Sequence, residues 1–244
     1  MRSIRLYADI PLEPDSEVAL PDHAAAHAVR VLRLRAGDAV TLFNGDGHEY
    51  PARLVAAGIR EVRAEITSKK SPLRESPLRI TLVQALARGE KMDWIVQKAT
   101  ELGVARIIPV STGRSEVKLD AARGGKRLEH WRAVAIAACE QCGRNVLTGI
   151  EAPVELSGWL KTSAGSRPGT RWMLHPEGHA RARDLRASGA LELAVGPEGG
   201  FGEADLAVLR AHDFRELALG PRILRTETAG IAALAALQGL YGDL

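Results

Sequence analysis

Hydrophobic positions in this chain of 244 residues first recur every second residue, in short runs, and later alternate between that spacing and a helical one. The change divides the chain. In the first part, "DAVTLFNGDGHEYPARLVAAG" reads as a strand, an Asn-Gly-Asp-Gly turn and a second strand, which is a hairpin signature. "EVRAEITSK" supplies another strand, and "PDHAAAHAVRVLRLRAGD" predicts a short helix carrying Arg30, Arg33 and Arg35 into a Gly-Asp turn. The polar "KKSPLRESP", with two prolines, reads as a linker. A small β-rich domain is therefore expected over residues 1–72 and a second domain over residues 73–244.

From residue 78 strands and helices take turns. "LRITLVQAL" is a strand, and "EKMDWIVQKATELG" places Met92, Ile95, Val96, Ala99 and Leu102 on one helical face before stopping at Gly103. "VARIIPVS", "RWMLH", "LELAVG" and "ELALG" follow as strands, with helices around Trp131 and in "EADLAVLRAH". Such an alternation predicts a mostly parallel α/β sheet, whose ligands bind outside the carboxyl ends of the strands. Three loops in that position are unusual: "LHPEGH", "GPEGGFGEAD" and "GPRILRTETAG". In the second, Gly196, Gly199 and Gly200 remove side chains, so that a flat ligand can approach the backbone. No Lys-Ser/Thr pair follows, and no loop has GxGxxG spacing, so phosphate-loop and dinucleotide folds are excluded.

Composition adds class and partner. With 45% hydrophobic and 26% charged residues the chain falls among ordinary globular proteins rather than disordered or disulfide-stapled ones. No window approaches the roughly 18 apolar residues of a membrane span, and the N-terminus has charges where a signal peptide needs an apolar run. A cytoplasmic protein is expected. Its net charge is only +3, but residues 73–150 hold 13 basic against 8 acidic side chains. The excess centres on Arg114, Lys118, Arg123, Lys126 and Arg127 around two glycines, which reads as a flexible basic loop suited to a phosphate backbone.

Two other patterns invite chemistry and lose it. Cys139 and Cys142 form a CxxC, but no second pair of metal ligands accompanies them. Both are expected on the apolar side of the helix around Trp131, as small hydrophobes. His175 and His179 flank Pro176 and Gly178, which would break the helix that metal binding at that spacing needs. No metal is expected.

In order along the chain, "HAVRVLRLRAGD", "EKMDWIVQKATELGV", "EQCGR", "LAVGPEGGF" and "LALGPRILRTETA" resemble the small-subunit ribosomal RNA methyltransferase E family over essentially the whole length. The resemblance implies an α/β SPOUT methyltransferase domain with a trefoil knot, preceded by a PUA-like RNA-binding β-barrel, in a homodimer. It implies transfer of a methyl group from S-adenosylmethionine to N3 of one uridine in 16S ribosomal RNA. The family's cofactor loops match Leu174, His175, Gly196, Pro197, Glu198, Gly199, Gly200, Leu219, Gly220, Ile223, Leu224, Arg225, Thr226, Thr228 and Ala229. Arg225 is the candidate cation for the uridine anion, and Glu198 or Glu227 the candidate proton acceptor or orienting group. Arg30, Arg33, Arg114, Arg123, Lys126, Arg127 and Arg144 are the candidate RNA contacts. An enzyme of the same class acting on transfer RNA or on ribose hydroxyls, an RNA-binding assembly factor without activity, and a thiol redox protein remain the alternatives.

Overall fold

A computed structural model of the chain describes residues 4–58, 61–116, 121–163, 169–181, 184 and 189–244; of residues 121–123 and 163 it describes the backbone only. Two compact units emerge: Met1–Glu75 with Ile136–Leu147, and Ser76–Ala135 with Thr148–Leu244. The first is built on a five-stranded sheet in the order β1-β3-β4-β5-β2. Its strands are β1 (Ile4–Tyr7), β2 (Glu17–Ala19), β3 (Ala39–Phe43), β4 (Tyr50–Ala57) and β5 (Val62–Ile66). Alternation in β5 buries Val62, Ala64 and Ile66 and leaves the intervening side chains in water, as the sequence pattern requires of a one-sided strand. The predicted short helix is α1 (Asp22–Ala26), which widens into a π-helical turn over His27–Val31. Arg30 and Arg33 follow on its exposed side, Arg33 with a left-handed backbone at φ 56°.

The second unit is the α/β domain. Its sheet runs β11-β13-β10-β12-β6-β7-β8, with β9 also against β7, and every pairing is parallel. The strands are β6 (Arg79–Ala85), β7 (Arg106–Ser111), β8 (Gly149–Ile150), β9 (Val154–Glu155), β10 (Thr170–Leu174), β11 (Ala180–Arg181), β12 (Ala190–Val195) and β13 (Arg215–Ala218). Neighbouring residues serve opposite faces. Leu82, Ile107, Trp172 and Leu193 join one core with α2 (Lys91–Glu101) and α6 (Thr226–Tyr241). Val83, Ile108, Met173 and Ala194 join the other with α4 (Leu156–Ser163) and α5 (Glu203–Ala211). Burial on both faces explains why these strands read as nearly continuous apolar runs. Within the sheet Arg171 Nε donates to Glu192 Oε2 at 2.8 Å; burial pushes the Glu192 carboxyl up, against the pull of that guanidinium.

The middle of the chain departs from the reading of its sequence. The glycine-containing part of the expected basic loop is helical: α3 spans Ala121–Cys142 with Gly124 and Gly125 inside it, each costing about 1 kcal/mol relative to alanine, while Lys118 lies outside the described residues. An apolar stripe including Leu128, Trp131 and Ala135 packs on the core and holds these turns helical. Only Cys139 is fully buried; Cys142 is half-exposed.

One topological feature positions the site. β13 lies between β10 and β11, so the connection from β10 to β11 passes over it. Gly178 makes that passage possible, because a Cβ there would sit 3.0 Å from the backbone of Glu216 and Leu217. The connection from β13 to α6 runs the opposite way, past β10, to where Thr226 meets Gly196 and Gln84. Two connections cross on one edge of a sheet, which chain topology almost always avoids.

Candidate active site

The crossing encloses a cavity of about 460 Å³ at the carboxyl edge of the sheet. Its walls are the segments that follow β10 (Leu174–Pro176), β12 (Gly196–Phe201) and β13 (Leu219–Thr226), with Lys91 and Arg114 from the segments after β6 and β7. Open α/β sheets place ligands in this position, and the volume suits a molecule of nucleoside size.

Local chemistry fixes each wall. Pro197 starts a tight turn closed by the Gly200 amide on the Pro197 carbonyl at 2.9 Å, and Gly200 takes φ 68°. Gly196 has no room for a side chain: a Cβ would stand 3.1 Å from the Phe201 nitrogen and 3.2 Å from the Gly200 carbonyl carbon. At Gly199, which also lines the cavity, a Cβ would point at the Arg114 side chain, 3.5 Å away. Gly220, at φ 115°, turns the chain after β13. Leu174, Leu219 and Leu224 stay half-buried along the wall, and Ile223 is 83% exposed at its rim. Apolar side chains left open beside backbone without side chains form a slot for a flat ring.

Polar groups gather at the start of α6. Arg225 is its N-cap, in extended conformation and without a capping side chain, and its carbonyl accepts the amides of Thr228 and Ala229. The buried Thr226 hydroxyl donates to the Gly196 carbonyl at 2.7 Å and accepts from Gln84 Nε2 at 3.1 Å. Glu198 is tethered from the other side, accepting from the Arg88 amide at 3.2 Å and from Lys91 Nζ at 2.9 Å. Burial raises its pKa, but Lys91 and the amides of Glu198 and Arg88 outweigh burial and hold the carboxyl below its ordinary range. A carboxylate held ionised by such partners is a weak proton acceptor, so of the two roles expected for Glu198 the geometry favours orientation. Glu227 does not line the cavity; its Oε2 is buried, lacks a hydrogen bond among the described residues, and lies 3.9 Å from Lys91 Nζ.

Of the residues matched to the cofactor loops, only Thr228 is outside the lining, exposed on the first turn of α6. Arg225 is exposed on the cavity and free of ion pairs among the described residues. Arg114 also reaches the cavity, donating through Nη1 to the Gly199 carbonyl at 3.1 Å. Arg30, Arg33 and Lys126 are exposed, Arg127 is half-buried, and the Arg123 side chain lies outside the described set. Arg144 is a correction. It is 5% exposed and forks onto Glu75 Oε2 through Nε at 3.0 Å and Nη2 at 2.6 Å, within the first unit. A guanidinium so enclosed is not available to a phosphate. The sequence reading missed Lys91, Pro176, Val195, Phe201, Leu217 and Arg222 in the lining; all but Pro176 stand inside the motifs that carry the resemblance. Among the described residues no cluster of side chains could hold a metal ion, and no helix is long and apolar enough to cross a membrane.

Comparison with known proteins agrees with this geometry. Residues 74–238 match the family model of an RNA methyltransferase domain, and residues 20–70 that of an RNA methyltransferase PUA domain. The ribosomal RNA small subunit methyltransferase E of Buchnera aphidicola from Schizaphis graminum is 31% identical over 98% of this chain and 97% of its own length. That of Bacillus subtilis is 31% identical over 86% and 85%. Among solved structures, a ribosomal RNA small subunit methyltransferase E from Neisseria gonorrhoeae bound to S-adenosyl methionine is 37% identical, with a TM-score of 0.91 and full coverage of both chains. A putative methyltransferase from Legionella pneumophila in complex with the same cofactor is 39% identical, with a TM-score of 0.95 and full coverage of both.

Proposed function

The chain belongs to the ribosomal RNA small subunit methyltransferase E family, and from that premise we propose that it methylates N3 of one uridine in 16S ribosomal RNA, with S-adenosylmethionine as donor. The observation that carries the reading is the cavity walled by the three loops that follow β10, β12 and β13, two of which cross. Its apolar slot, its closed glycine turn and the uncapped start of α6 fit a nucleoside that ends in a charged amino acid. When bound, the cofactor supplies a methyl group already activated as a sulfonium, so the protein's task is alignment and exclusion of water.

The chain's own residues then divide the work. Leu174, Leu219 and Leu224 cover the ring, while the Gly196–Gly200 turn brings backbone against it. Uridine N3 is a poor nucleophile until its proton has passed to solvent, and the negative charge that follows spreads over O2 and O4. Arg225, free of ion pairs among the described residues and beside a helix N-terminus, stabilises that charge. Glu198 and Glu227 orient the cations around it. Because N3 lies on the pairing face, the target uridine is unpaired or flipped out when it enters. Arg30, Arg33, Arg114, Lys126 and Arg127 contact RNA, the crossing connections form the family's trefoil knot, and the working unit is a cytoplasmic homodimer.

Methyl transfer from labelled S-adenosylmethionine to purified small subunits, followed by mass-spectrometric mapping of the modified nucleoside, tests the reading. Label on N3 of a single 16S uridine is expected. Label on a ribose or on transfer RNA would assign the chain to another reaction of the same class, and no transfer despite cofactor binding would leave an assembly factor.

A further inference from the structure

Lys91 is the first residue of α2, where a helix favours acids over cations because its N-terminus carries partial positive charge. A lysine here works against the helix that bears it, and such local conflicts mark functional positions. Its ammonium has other partners. It donates to Glu198 on the turn after β12 and faces the buried Glu227 Oε2 on α6, while lining the cavity. The two walls are joined at their root by the buried Thr226 hydroxyl on the Gly196 carbonyl. Glu198 lies 2.9 Å and Glu227 3.9 Å from the Lys91 ammonium, and two carboxylates so placed repel unless a cation stands between them.

We propose that Lys91 is a positioning residue for cofactor binding, whose ammonium ties the glycine-rich turn to the first turn of α6 and so fixes the width of the cavity mouth. The inference rests on the reading that the cavity takes S-adenosylmethionine. Lys91 acts through the walls, so its loss weakens cofactor binding and leaves transfer at saturating cofactor nearly intact.

The test compares Lys91→Met, Lys91→Arg, Glu198→Met and the double variant Lys91→Met with Glu198→Met. Calorimetric affinity for S-adenosylmethionine, melting temperature without cofactor and single-turnover transfer at saturating cofactor are measured for each. Lys91→Met is expected to weaken cofactor binding about tenfold, the scale of one charge-assisted hydrogen bond, with Lys91→Arg recovering most of it. The double variant should bind no more weakly than Lys91→Met, because one tie is being broken from either end. Additive losses, or unchanged affinity in Lys91→Met, would overturn the proposal while the cavity's ligand stands. If Lys91→Met does not fold, Glu198→Met, which leaves the ammonium no oxygen on that wall, reads the same tie from the opposite side, and wild-type affinity there overturns the proposal. A wild-type protein that does not bind S-adenosylmethionine at all removes the ligand and the proposal together.

Discussion

The C-terminal turns of α3 and the mouth of the cavity both collect charged residues, yet they treat them in opposite ways. At the end of α3 the charged groups are enclosed and paired, although Arg5 Nε and Asn145 Nδ2 lack a hydrogen bond among the described residues. Arg144 forks onto Glu75; Arg5 donates to Glu49, Asn145 and the Arg144 carbonyl; Glu140 accepts the Tyr7 amide at 3.0 Å. At the cavity mouth Arg225 is exposed without an ion pair among the described residues, and beside Lys91 the buried Glu227 Oε2 has no hydrogen bond among them. Ionic groups that fold a chain are paired within it. Those kept for a ligand are left incomplete, and the comparison separates the two uses where residue type does not.

Arg225→Ala attacks the contrast on its functional side and should have the largest effect, lowering single-turnover transfer about 10²-fold with cofactor affinity changed much less. Arg225→Lys should do little better, since it keeps the charge and loses the planar fork. A variant that binds cofactor poorly but transfers normally when saturated would make Arg225 a cofactor ligand. Arg144→Ala probes the other side, and should destabilise the fold by about 2 kcal/mol, less than a fully enclosed pair because Glu75 keeps some solvent. Denaturant unfolding measures this; cofactor affinity of the folded protein should not move. Gly196→Ala sharpens the picture of the slot: with no space for a Cβ, the turn must open, and cofactor binding should fall about tenfold.

The smallest effect is a dependence on pH. Burial pushes the Glu140 carboxyl up, against the Tyr7 amide and the charges of His27, His23 and Arg5. The folded state therefore holds this proton more tightly than the unfolded one, and stability falls as pH rises through the raised value. Glu140→Gln keeps an acceptor for the Tyr7 amide and removes the titration. Relative to wild type it should gain stability between pH 4 and pH 7, by within about 1 kcal/mol, in paired unfolding curves. The carboxylate at the cavity behaves oppositely. Glu198 is held low, so its tie to Lys91 is present above the ordinary carboxylate range and is lost only as pH falls through that lowered value. Cofactor affinity should be level from pH 8 to pH 5 and drop in stronger acid.

The α/β domain and the three loops were legible because parallel strands and their carboxyl ends leave a pattern: apolar runs, then glycine and proline. Lys91 was not, since its meaning depends on a carboxylate 107 positions away that only folding brings to 2.9 Å. Arg144 misled for a related reason: a sequence carries residue type but not enclosure, and Glu75, its partner, sits in the stretch that reads as a linker. At Gly199 the absence of a side chain was plain, and the direction in which one would point was not. The two-residue strands β8, β9 and β11 are too short to establish a period.

The position of β13 between β10 and β11 also orders events in time. A chain made from its N-terminus produces both neighbours before the strand that must lie between them, so their edges wait unpaired until residues 215–218 arrive. Such distant pairings form slowly. Until that docking occurs the Gly196–Gly200 turn has no opposite wall, and a half-finished molecule carries no methyl donor to misplace on RNA. Once the donor binds, it stabilises only the completed arrangement, in proportion to the logarithm of its concentration over its dissociation constant. The cell's methyl supply thereby becomes a latch on the enzyme that spends it.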